Sequence, residues 1–153
     1  MVSVGFTPVD DDLYREIILD HYRNPRHRAK VEPADQVVEA RNPICGDEID
    51  LSFRVRDGAV EAIGFMGNGC SISQASASML CEAVSGMGTA AAERLAEQFR
   101  AMLQGSADVD GLGDLEALRG VRAYPVRVKC ATLPWNALLR GLRGGETENG
   151  GSA

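Results

Sequence analysis

No apolar run in this sequence is long enough to span a bilayer; the hydrophobic stretches are short and interrupted. No membrane association is expected. Met1 to Pro8 do not place a basic region ahead of an apolar one, so no signal peptide is expected and the cytoplasm is the expected location. Positive charge is scarce: 16 Lys+Arg stand against 22 Asp+Glu, for a formal net charge of −6. That argues against a nucleic-acid binder, whose footprint is a basic patch, but leaves room for a basic protein partner. There is no internal repeat. The 4 cysteines also lack the two close Cys/His pairs of a zinc finger or ribbon, so their spacing alone is a weak metal signal.

The 153 residues fit one domain, with a hydrophobic fraction of 44% and a charged fraction of 25% that are ordinary for a globular protein. Residues 1–10 read as a flexible leader, 11–142 as a single domain and 143–153, rich in Gly, Glu and Ser, as a disordered tail. Leu13, Ile17, Ile18, His21 and Tyr22 recur at helical spacing, which predicts a helix from about Asp11 to Arg23, ended by Asn24-Pro25. Three strands follow. Gln36 to Arg41 is the first. Leu51, Phe53 and Val55 alternate with polar residues in the second, and Asp57-Gly58 is a favoured hairpin turn into the third, Ala59 to Met66. Imperfect alternation around Ala62 to Gly64 points to a bulge.

Helices are predicted from about Ser71 to Ser85 and Thr89 to Leu103. Gly105 to Gly113 reads as a linker, and Asp114 to Arg119 as a short helix stopped by Gly120. Pro134 suits a first helical turn better than an interior, so the last helix is expected to start near Thr132, with Thr132 as its cap. The order helix, strands, helices implies an α+β fold: a three-stranded antiparallel sheet with helices packed on one face.

In a reducing compartment the cysteines raise the question of metal binding or thiol chemistry rather than disulfides. Cys45, Cys70 and Cys130 all fall at element boundaries. Cys70 and Cys130 are expected at helix N-termini, where the dipole favours thiolate, the form that binds metal or attacks sulfur. Asp47 is near enough to Cys45 for a turn to bring its oxygen to the same ion. Three thiolates and one carboxylate would complete a tetrahedral zinc shell, and Arg127 and Lys129 stand beside Cys130 to offset the excess negative charge. Taken alone, these residues leave simpler readings open: each cysteine as a small buried hydrophobe, and Asp47 as a turn residue. Cys81, inside an apolar helix, reads as packing. His21 and His27 read as surface or packing residues, and Arg26 and Arg28 as solvated or touching an acidic partner.

Four motifs together resemble one family. Leu13-Tyr14-Arg15-Glu16-Ile17-Ile18-Leu19-Asp20-His21-Tyr22-Arg23-Asn24-Pro25-Arg26 is similar to the N-terminal signature of SufU-type proteins. Asn42-Pro43-Ile44-Cys45-Gly46-Asp47, Gly69-Cys70-Ser71-Ile72-Ser73-Gln74-Ala75-Ser76-Ala77-Ser78-Met79 and Arg127-Val128-Lys129-Cys130-Ala131-Thr132-Leu133 resemble their three cysteine motifs. Such proteins share the fold of the iron–sulfur scaffold IscU and the N-terminal domain of NifU. Scaffold-type members resemble this chain but carry His where Lys129 stands, and have a shorter segment between the second and third cysteines.

The resemblance implies a zinc-dependent sulfurtransferase that accepts persulfide sulfur from a Suf-type, pyridoxal-phosphate-dependent cysteine desulfurase and passes it to the downstream cluster-assembly machinery. The protein would then act as second substrate and activator of the desulfurase. It implies Zn2+ held by Cys45, Asp47, Cys70 and Cys130, with Cys45 as the sulfur acceptor, Arg127 engaging the partner and Lys129 compensating charge. The alternative is an IscU-type scaffold holding an iron–sulfur cluster on the same residues. In a third reading zinc only supports the fold, and docking alone activates the desulfurase.

Overall fold

A computed structural model describes residues 8–105 and 112–144. Helix α1 (Pro8–Arg23) precedes strands β1 (Gln36–Asn42), β2 (Asp47–Arg56) and β3 (Ala59–Asn68). Helices α2 (Ser71–Val84) and α3 (Thr89–Leu103) follow, then a 3₁₀ segment (Gly113–Ala123) and α4 (Pro125–Leu142). The sheet is antiparallel in the order β1-β2-β3. This is the α+β architecture expected.

Strand alternation decides which face is covered. Val38 and Ala40 on β1, Ile49, Leu51 and Phe53 on β2, and Val60, Ile63 and Phe65 on β3 are all buried. They meet Leu80 and Val84 of α2, Phe99 of α3 and Trp135, Leu138 and Leu139 of α4 in one core. Phe99 and Trp135 stack with ring centroids 4.9 Å apart, and the indole N–H donates to Ser76 Oγ at 3.1 Å. α4 lies so close to the sheet that a Cβ at Gly141 would meet the Phe53 ring at 2.7 Å. On the sheet's other face the loop after α1 closes over β3. Phe65 N–H donates to the His27 carbonyl at 3.0 Å, and Val31 N–H donates to Ser52 Oγ at 2.9 Å. The register slips between Arg54 and Val55, beside the positions where the alternation fails. The extra β3 residue, Glu61, turns its carboxylate to Arg54 and Arg56 at 2.8 and 3.0 Å.

Three boundaries differ from expectation by three residues or more. α1 begins at Pro8 rather than Asp11, so residues 8–10 are helical and not leader; a proline is tolerated in a first turn, where its missing N–H has no intrahelical partner. The remaining leader residues, and tail residues 145–153, lie outside the described residues, as do 106–111 of the linker. The short helix at Asp114–Arg119 is a 3₁₀ segment that runs on to Ala123.

The largest correction concerns α4, which begins at Pro125 and not near Thr132. Pro125 takes the first-turn position, and Pro134 is in the interior, where it removes the amide that would meet the Cys130 carbonyl. Thr132 is not a cap; its hydroxyl donates back to the Val128 carbonyl at 3.0 Å.

His21 is a packing residue, buried between elements. Its Nδ1 lies 2.8 Å from Ser78 Oγ and its Nε2 3.1 Å from Asp114 Oδ2, tying α1 to α2 and to the 3₁₀ segment. No acidic neighbour of His21 was foreseen, because Glu82 and Asp114 are remote in sequence; the fold brings both to its ring. Ser78 already accepts the Arg26 N–H at 2.8 Å, so its own proton is available to His21 Nδ1 and the ring is fully bonded without a metal ion. Arg26 pairs with Asp20 at 2.7 Å, and Arg28 donates to the Gly67 carbonyl at 2.8 Å. Among the described residues no helix is long and apolar enough to cross a membrane.

Candidate metal centre

Three chain segments meet at one end of the sheet. The β1–β2 hairpin turn holds Cys45, closed by a 2.8 Å hydrogen bond from Gly46 N–H to the Asn42 carbonyl. Asp47 opens β2, paired with Asn42 across the ladder. Cys70 is the N-cap of α2. Cys130 lies in the second turn of α4, fully buried.

The ligand atoms of Cys45, Asp47 and Cys130 lie within 4.8 Å of one another. The Cys70 sulfur does not join that tightest group, but its backbone N–H donates to Asp47 Oδ1 at 2.9 Å. Asp47 itself is 1% exposed, and its Oδ2 is buried with no hydrogen-bond partner. A lone buried carboxylate oxygen is costly unless something positive meets it. Gly69 makes the approach possible: its φ is +153°, and a Cβ there would run into Asp47 Oδ1.

The position of Cys130 overturns the expectation of a helix-terminal thiolate. It is inside α4, donating weakly to the Val126 carbonyl at 3.7 Å. Burial pushes its thiol well above the usual range, and the adjoining Asp47, Cys45 and Cys70 groups push it further. Without a cation this thiol keeps its proton. Arg127 stands beside the thiols, and the Cys70 and then the Cys130 sulfur hold its guanidinium in the charged form. Lys129 is exposed and instead lines a neighbouring cleft with Asn42, Ile44, Pro125 and Val126. Cys81 is buried away from the site, and burial raises its thiol far above the usual range, as a packing residue requires.

Two contributors were not singled out from sequence. Asn42 is 7% exposed and its Nδ2 approaches Cys130 Sγ at 3.9 Å. Its only sequence signal was its place in the first cysteine motif. Gly69, whose only sequence signal was its place in the second cysteine motif, admits Asp47 to the α2 N-terminus.

The NifU-like N-terminal domain model matches residues 13–131. The chain belongs to that family. Among curated relatives, the zinc-dependent sulfurtransferase SufU of Bacillus subtilis is 46% identical over 134 residues, covering 86% of this chain and 90% of the relative. The iron–sulfur cluster assembly scaffold protein IscU of Streptococcus pyogenes is 40% identical over 133 residues, covering 86% and 83%. Among solved structures, FiSufU of Fervidobacterium islandicum AW-1, crystallised as a candidate scaffold for the SUF system, superposes with a TM-score of 0.80 at 33% identity. That match covers 83% of this chain and 94% of the other. This NifU-like domain therefore has relatives named for sulfur transfer and relatives named for cluster scaffolding.

Proposed function

We propose that this NifU-like domain is a zinc-dependent sulfur acceptor, taking persulfide sulfur from a cysteine desulfurase for iron–sulfur cluster assembly in the cytoplasm. The observation that carries the reading is the convergence of Cys45, Asp47 and Cys130 within 4.8 Å around a buried carboxylate oxygen that nothing else satisfies. Together with Cys70 they make a Cys₃Asp donor set suited to tetrahedral zinc. Bound zinc supplies the positive charge that keeps these thiols deprotonated.

The protein's own groups divide the remaining work. Cys130 and Asp47 are buried and anchor the set. Cys45 and Cys70 are both half-buried, but Cys45 stands in a hairpin turn while the Cys70 backbone N–H is tied to Asp47, so Cys45 is assigned as the sulfur acceptor. Its thiolate attacks the outer sulfur of the desulfurase persulfide. The S–S bond of the donor breaks, the desulfurase thiolate leaves, and a new S–S bond forms on Cys45. Arg127, exposed beside Cys70 and Cys130, meets the anionic donor as it arrives. The desulfurase holds its own pyridoxal phosphate, and this chain acts as its second substrate.

The scaffold reading uses the same donors and draws support from the relatives named IscU. Metal analysis with a visible spectrum separates the two. Protein from a zinc- and iron-replete host is expected to carry about one zinc per chain and to be colourless, since zinc has no redox or d-electron transitions. It is further expected to gain one sulfane sulfur on Cys45 when mixed with desulfurase and cysteine. Iron with charge-transfer bands, and no sulfur on Cys45, would instead make it a scaffold.

A further inference from the structure

Strand β1 buries alternate side chains: Val38, Ala40 and Asn42. The first two are apolar core residues, and the third ends the strand with a buried amide. A buried amide is costly unless it is bonded, so its place on the core face needs a reason. The hairpin turn does not supply one, because it uses only the backbone: the Asn42 carbonyl accepts the Gly46 N–H at 2.8 Å. Nor does Asn42 adopt the left-handed conformation that often selects asparagine at a turn. Among the described residues, the one hydrogen bond of its side chain runs from Nδ2 to Cys130 Sγ, at 3.9 Å.

The other surroundings of Cys130 suit a thiol and not a thiolate. The side chain is fully buried, and its thiol points at the Val126 carbonyl, 3.7 Å away. A metal-bound thiolate has no proton to offer that carbonyl. Its neighbours Cys45 and Asp47 are anionic as well once they hold a metal. Arg127 is exposed and shared with Cys70, which leaves the Asn42 N–H as the buried donor aimed at this sulfur. A hydrogen bond to an ionised acceptor is roughly twice as strong as a neutral one. Cys45, in contrast, meets no N–H donor among the described residues.

We propose that Asn42 is a positioning residue of the metal centre, whose amide N–H holds the Cys130 thiolate as the ligand that stays on zinc when Cys45 reacts. This inference rests on the sulfur-acceptor reading and assigns how that site keeps its metal while one sulfur is spent. An N–H···S bond draws electron density from the sulfur, which makes a buried thiolate tolerable and less nucleophilic. Partners of this outer kind orient a ligand and tune the metal. The backbone of Asn42 pairs with Asp47 and closes the Cys45 turn, so its amide is set by the same strand end that carries two other donors.

The test replaces Asn42 with leucine, which is similar in volume and has no donor. With Cys45 alkylated in both proteins, Asn42→Leu should yield its zinc to a chromophoric chelator at least about tenfold more readily than wild type. In cobalt-substituted protein, the sulfur-to-cobalt charge-transfer band should move to lower energy in the variant, because a sulfur freed of its hydrogen bond gives up electron density more easily. Equal zinc retention would overturn the proposal. So would an unmoved band, even with zinc loosened, since lost packing alone loosens zinc without changing the sulfur. If Asn42→Leu does not fold, the wild-type protein decides: an Asn42 side-chain amide proton should shift downfield on zinc loading, and unmoved amide resonances would overturn the proposal. Failure of the acceptor reading is a separate result. If desulfurase and cysteine put no sulfane sulfur on Cys45, that reading falls, while zinc retention and the cobalt band still decide the role of Asn42.

Discussion

The backbone amide of Cys70 donates to Asp47 Oδ1 at 2.9 Å while Oδ2 of the same carboxylate has no partner. One oxygen is fixed to the α2 N-terminus and the other is left for a cation. Asp47→Ala should therefore lower zinc affinity by at least about 100-fold, beyond the 10–100-fold typical of residues that only support a ligand. Competition with a chromophoric chelator measures this. A loss of less than about tenfold would remove Asp47 from the donor set.

Gly69→Ala should act on the same relationship from the backbone. The added methyl group meets Asp47 Oδ1, in a backbone conformation that side chains disfavour. The expected cost is about 1–3 kcal/mol of stability together with weaker zinc binding. Thermal melts with and without excess zinc check it. A variant that melts and binds like wild type would mean that the loop can shift without disturbing Asp47.

Cys81 sets a pH prediction in the zinc-loaded protein. Burial raises its thiol far above the ordinary range, so the folded chain keeps this proton where the unfolded chain loses it. The unfolded state then binds fewer protons, and stability must fall as pH rises above the unfolded thiol value of about 8.5, by up to about 1.4 kcal/mol per unit. Wild type should lose stability more steeply than Cys81→Ala between about pH 8.5 and 10. Parallel urea-unfolding curves across that range would contradict the assignment.

Phe99 stacks on the chain's single tryptophan, so its truncation can be followed optically. Phe99→Ala is expected to cost about 3–5 kcal/mol and to shift Trp135 emission to the red as water reaches the ring. An unshifted emission maximum would mean that the cavity has collapsed around Trp135.

His21→Ala should loosen the 3₁₀ segment more than it loosens the core. It removes a buried ring that bonds Ser78 and Asp114, at an expected cost of about 2–4 kcal/mol. Amide exchange should accelerate over residues 113–123 while Phe53 and Phe65 in the sheet stay protected. Uniform acceleration would make His21 an ordinary core residue.

Much of this architecture could be read from periodicity. Strands with clean alternation, such as Leu51-Phe53-Val55, and helices bounded by glycines, such as the one after Gly88, were found where expected. The start of α4 was not legible, because Pro125 and Pro134 each suit a first turn and nothing local chooses between them. Tertiary packing chooses: Ala131, Trp135 and Leu138 reach the core only if the helix is already running. That single misplacement also reversed the argument about Cys130, from helix-end thiolate to buried thiol. The convergence of Cys45, Asp47 and Cys130 follows the expectation drawn from residue chemistry and family resemblance. The different surroundings of Arg127, beside the sulfurs, and Lys129, in the neighbouring cleft, were not legible, since a helix turns neighbouring side chains to different sides.

Pro134 gives α4 a weak joint at the Cys130 carbonyl. Beyond the joint, Trp135 and Gly141 bolt the helix to Phe99 and Phe53. Before it, a short lever carries Arg127 on its outside and the Cys130 sulfur on its inside. One short stretch of helix thus joins the surface to the interior, so a shift of the α4 N-terminus would carry the exposed guanidinium and the buried sulfur together.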